Sequence, residues 1–73
     1  MERVEETRSY RNMTSEGFRA LLDVVERYRS LNAVEVLCSG TAEDATVIFV
    51  RRAFQRDIRA EFDAEVTKSW RRL

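Results

Sequence analysis

The chain has 73 residues, 44% hydrophobic and 36% charged, and its 13 basic groups cancel its 13 acidic ones. That length holds one domain, 1–73, which buries roughly 60% of the surface of the unfolded chain, and these totals imply neither disorder nor a polyanionic partner. With no histidine and a lone Cys38, the chain has no disulfide, and the commonest metal ligand and general base is missing, so oligomerisation is the cheapest further support and a homodimer is expected.

Residues 1–13 contain too few apolar side chains, Val4, Tyr10 and Met13 chief among them, to define a period. Thr7–Arg11 reads as an edge strand in preference to a frayed helix or a flexible arm. From Ser15 to Leu31 the pattern is clear. Phe18, Leu21, Leu22, Val24, Val25, Tyr28 and Leu31 recur at helical spacing, opposite Arg19, Asp23, Glu26, Arg27 and Ser30. Thr14 or Ser15 is placed to cap this amphipathic helix, Glu16 suits its positive end, and Asn32 ends it.

Beyond Asn32 the period shortens to two, with Val34, Val36 and Cys38 alternating with Glu35, Leu37 and Ser39, which predicts a strand. Ser39–Asp44 is polar, holds Gly40 and reads as a loop, and Thr46–Val50 is a run of strand formers, so the two strands join as a hairpin. The competitor is one long helix over 42–72, started by a capping box from Thr41 to Asp44. It would leave Val47, Ile48, Phe49 and Val50 all round a helix with no polar face, which favours the strand.

Phe54, Ile58, Phe62, Val66 and Trp70 then recur every fourth residue, and nothing between Ala53 and Arg72 breaks a helix. Steps of four advance about 40° each, so the stripe slants around the axis, as suits a helix lying across a twisted sheet. The predicted fold class is α+β, with an amphipathic helix, a β-hairpin, a C-terminal helix and an N-terminal edge strand. The all-α bundle is the alternative.

Little in the chain points to catalysis, for there is no glycine-rich phosphate loop, no serine nucleophile elbow and no cysteine pair, and no cofactor or metal is implied. Asp57, Glu61, Asp63 and Glu65 read as solvated helix charges. Cys38 reads as a packed apolar residue, since free cysteine is among the most buried types. The most suggestive cluster is Arg51, Arg52, Arg56 and Arg59, a net of +3 once Asp57 is subtracted. On a helix Arg52, Arg56 and Arg59 fall within about 60° of one another and would face an anionic protein or nucleic acid, with Arg71, Arg72 and Trp70 as a second contact. Against this, Asp63 lies four residues from Arg59 and could pair with it.

Trp70 and the stripe Phe54, Ile58, Phe62, Val66 are also placed to anchor a partner, including a second copy. The sequence supports a non-enzymatic protein-binding or regulatory module, acting as a homodimer. A nucleic-acid-binding regulator using the arginines is the alternative. No membrane-spanning run is present, Ala45–Val50 being far too short, and the N-terminal residues Met1–Glu6 lack the apolar stretch of a signal peptide. A cytoplasmic address is the default expectation.

Overall fold

A computed structural model describes residues 2–31 and 34–73, the side chains of 30 and 31 excepted. Its elements are β1 (Arg3–Arg11), α1 (Ser15–Leu31), β2 (Glu35–Gly40), β3 (Asp44–Arg52) and α2 (Arg59–Trp70). The three strands form an antiparallel sheet in the order β1-β3-β2. The α+β expectation is met, and the single long helix over 42–72 is not formed. β1 and β2 run parallel, one on each side of β3, because α1 carries the chain across the width of a strand and the hairpin then returns β3 into the gap.

The helix α1 spans the predicted residues, with Thr14 Oγ1 accepting the Gly17 backbone N–H at 3.0 Å as its cap. The expected stop at Asn32 and the side chain of Leu31 lie outside the described residues. At the hairpin, Thr41 and Asp44 exchange backbone hydrogen bonds of 3.1 Å around Ala42–Glu43. Gly40, at φ +108°, precedes this turn, and a Cβ there would collide with the Asp44 carbonyl oxygen. The turn also holds the chain leaving β1, since Asn12 and Met13 donate backbone N–H groups to the carbonyls of Glu43 and Ala42.

Both helices pack on one face of the sheet. Register places Val4, Glu6, Arg8 and Tyr10 of β1 on that face, opposite Arg51, Phe49, Val47 and Ala45 of β3. The core joins Leu21, Val24 and Val25 of α1 to Val36, Val47 and Phe49 of the sheet and to Ile58, Phe62 and Val66. Phe62 is its centre, with ring centroids 5.1 Å from Phe49 and 5.3 Å from Tyr28, both near perpendicular. Cys38 lies half-buried against this core, and burial pushes its thiol pKa up.

The N-terminal segment is a nine-residue strand, longer than the expected Thr7–Arg11, and it is tied to α2 from above. Tyr10 donates its hydroxyl to Asp63 Oδ1 at 2.9 Å, and Arg8 lies 3.2 Å from Asp63 Oδ2. The Trp70 indole N–H donates to the Gly17 carbonyl at 2.9 Å, locking the end of α2 to the start of α1. The opposite sheet face is open, and its middle rows carry Thr7, Ile48 and Leu37, then Glu5, Val50 and Glu35.

The C-terminal helix starts at Arg59, so the helix expected from Ala53 is corrected over 53–58, which form a turn and an irregular link. Three features outweigh helix propensity there. Arg51 binds the carbonyls of this stretch, Ala53 donates its N–H to the Glu2 carbonyl at 3.1 Å, and the Asp57 carboxylate accepts the Arg59 backbone N–H at 3.0 Å.

Candidate functional site: the turn between β3 and α2

The sheet delivers Arg51 and Glu6 to one place, because β1 and β3 are neighbours and both side chains occupy the helix-covered face. Arg51 Nε and Nη2 donate to the two Glu6 carboxylate oxygens at 2.8 and 2.9 Å, a bidentate pair whose side chains are 14% and 13% exposed. The third nitrogen, Nη1, donates to the carbonyls of Arg52, Ala53 and Gln55. One guanidinium therefore fixes the turn against β1. The hydrogen bond from Arg51 holds the Glu6 carboxyl below its usual pKa.

Of the remaining arginines, Arg59 stays beside Arg51, 3.9 Å from Glu6 Oε2, while Arg52 and Arg56 lie apart. Arg59 binds Asp57 through Nε and Nη2, at 3.1 and 2.7 Å, and these bonds, with the Arg59 backbone N–H, lower the Asp57 pKa to about 2. Arg56 lies 2.8 Å from Glu61. Arg52 alone of the four has no carboxylate partner among the described residues. Arg51 and Arg52 sit on successive positions of a strand and so point to opposite sheet faces, and Arg56 precedes α2. The single helical arginine face expected from the sequence is not formed, nor is the Asp63–Arg59 pair, since Asp63 is used by Tyr10 and Arg8 and Arg59 by Asp57.

The apolar stripe divides as sharply. Ile58, Phe62 and Val66 are core residues of this chain, and Trp70 is half-buried and hydrogen-bonded to Gly17, so none of the four is an open anchor. Phe54 is the exception. It is 72% exposed, the most exposed of the large hydrophobic side chains among the described residues, on a turn that Arg51 holds in shape. Arg52 and Arg56, both exposed, flank it in the chain.

Among the described residues, clefts lie at both ends of the sheet. One, of about 190 Å³, lies beside the turn and is lined by Arg3, Glu35, Val50, Arg51, Arg52 and Gln55. The other, of about 240 Å³, lies at the opposite end, where Arg11, Met13, Gly17, Trp70 and Leu73 meet. Among the described residues no group of three or more His, Cys, Asp or Glu side chains is placed to hold a metal ion, and no helix is long and apolar enough to cross a membrane.

Glu6 and Gln55 were absent from the residues singled out in the sequence. Glu6 is 45 positions from Arg51, and no local pattern links them. Comparisons with family profiles, curated proteins and solved structures find no match to this chain, so the functional reading rests on its own residues.

Proposed function

We propose that the chain is a non-enzymatic protein-binding module whose contact element is the turn between β3 and α2, with Phe54 as its anchor. One observation carries this reading: an aromatic side chain stands in solvent on a turn held by a half-buried ion pair. Aromatic and arginine side chains dominate interface hot spots, and a pre-shaped turn loses little conformational freedom on binding.

A foreign partner is favoured over a second copy at this position. The apolar groove at the far end, beside Trp70 and Leu73, is bordered by Arg11, so receiving Phe54 there would bring Arg52 and Arg56 towards a like charge that Asp44, 3.7 Å from Arg11 and exposed, only partly offsets. Self-association has separate support from the outer edge of β1, a nine-residue strand paired only with β3. A homodimer through that edge would leave the Phe54 turn open. The nucleic-acid alternative draws less support, because Arg51, Arg56 and Arg59 are each engaged by a carboxylate.

Site-specific photo-crosslinking in the native cells tests the reading. A benzophenone side chain at position 54 is expected to give one discrete protein adduct, competed by untagged wild-type chain and not by the Phe54→Ala variant. The same group at exposed Asp23 on α1 should give none. Equal patterns from both positions, or no adduct at 54, would overturn it. An adduct of twice the chain's own mass would replace the foreign partner by a second copy.

A further inference from the structure

At the end of the open sheet face nearest the turn, Arg3 and Arg52 are register partners. Like charges directly opposite one another destabilise a strand pair. At the other end of the same two strands, the corresponding position joins Arg11 to Asp44, an opposite-charge pair 3.7 Å apart. The arginine pair is thus the exception, and its compensation within the chain is slight. Glu35 reaches only Arg3, at 3.7 Å, with the two side chains 64% and 55% exposed, a separation and exposure at which water screens most of the attraction.

These residues line the cleft of about 190 Å³ together with Val50, Arg51 and Gln55. Val50 is 9% exposed and supplies an apolar surface. Arg51 is spent on Glu6 and the turn carbonyls. Gln55 Oε1 accepts the Arg52 backbone N–H at 2.7 Å, while its side-chain N–H groups have no partner among the described residues. The unspent groups of the cleft are therefore donors: the guanidinium of Arg52, most of that of Arg3, and the Gln55 amide.

We propose that this cleft receives a side-chain carboxylate from the protein segment that engages Phe54. The proposal rests on the reading of the turn as the contact element and adds the chemistry of the partner, an acidic segment carrying an apolar residue beside its acid. A carboxylate between Arg3 and Arg52 converts the like-charge pair into a bridged one, and guanidinium geometry suits it. Register also limits the anion. Glu5 and Glu35 stand on either side of Val50, one row further along the sheet, so a polyanion running along the face meets two carboxylates. A single carboxylate meets only Glu35, whose charge Arg3 already partly offsets at 3.7 Å.

The test is amide chemical-shift mapping and fluorescence anisotropy with a labelled peptide in which glutamates flank a leucine. Its glutamine counterpart, oligothymidylate and phosphatidylglycerol vesicles, whose headgroup has a phosphate and no carboxylate, serve as competing probes. The glutamate peptide is expected to shift the amides of Arg3 and of residues 50–55. Arg52→Gln, with a melting midpoint equal to or slightly above that of the parent because the like-charge pair is relieved, should weaken it about tenfold, the usual worth of a charge-assisted hydrogen bond, and the glutamine peptide should not bind. If Phe54→Ala abolishes binding and Arg52→Gln does not, the cleft is overturned and the turn reading stands. If neither variant matters, or no shift appears at these amides, the carboxylate cleft is overturned, and the turn reading is decided by the crosslink at position 54. Tighter binding of oligothymidylate or vesicles at the same amides would overturn the carboxylate in favour of phosphate.

Discussion

Phe62 shows how much of this small fold depends on single side chains. It is fully buried, and its ring lies 5.1 Å from Phe49, 5.3 Å from Tyr28 and 6.4 Å from Tyr10, joining α2 to β3, α1 and β1. Phe62→Ala is expected to cost about 3–5 kcal/mol, from lost transfer energy and the cavity left behind. At about 0.05–0.15 kcal/mol per residue a domain of this size has roughly 4–11 kcal/mol to lose, and a single core this small rarely supplies more than about 3–5, so urea denaturation should show the variant partly or wholly unfolded at room temperature. Arg51 illustrates the opposite case, a charged residue whose role is positional. Its planar fork satisfies Glu6 and the turn at once, which a lysine ammonium cannot reproduce.

Among the elements, the hairpin and the start of α2 depend on different kinds of information. The hairpin is local: Gly40 supplies the positive φ, and Thr41 and Asp44 close the turn. Gly40→Ala should therefore destabilise by about 1–3 kcal/mol, through backbone strain and the clash with the Asp44 carbonyl, read as a lower urea midpoint at unchanged m-value. The first turn of α2 is non-local. The every-fourth spacing from Phe54 to Trp70 is a sound helical pattern, yet Arg51, Glu6 and the Glu2 carbonyl hold Ala53–Gln55 in another shape. β1 was hard to read for a related reason. Two of its helix-facing positions hold Glu6 and Arg8, whose partners Arg51 and Asp63 come from far along the chain, so the strand lacks a clean apolar alternation.

For the whole molecule the ionisable groups define a pH window. Glu6 and Asp57 have folded pKa values below the ordinary 4.5 and 3.8, so the stability they contribute is present above those values and is lost as pH falls, towards about 2 for Asp57. Tyr10 has its pKa raised above the ordinary 10.0, chiefly by burial and then by the hydrogen bond to Asp63, so its contribution is present below 10.0 and is lost as pH rises. With no histidine to titrate between, the thermal midpoint should be nearly flat from about pH 5 to 9 and fall on both sides. Scanning calorimetry across pH checks this. Glu6→Gln should shrink the acid-side loss, and Tyr10→Phe the alkaline one.

Periodicity alone encodes the extent of α1, the hairpin, the α+β class, and the burial of Ile58, Phe62 and Val66. Those features follow from side chains within a few positions of one another, where hydrophobic spacing and turn chemistry act directly. The tertiary structure alone decided which arginines are spent and which is left, where α2 begins, and that Phe54 stands outside the core its spacing suggests. Each of these depends on β1 lying beside β3, a pairing across some 45 residues that brings Glu6 to Arg51 and sets Arg3 against Arg52.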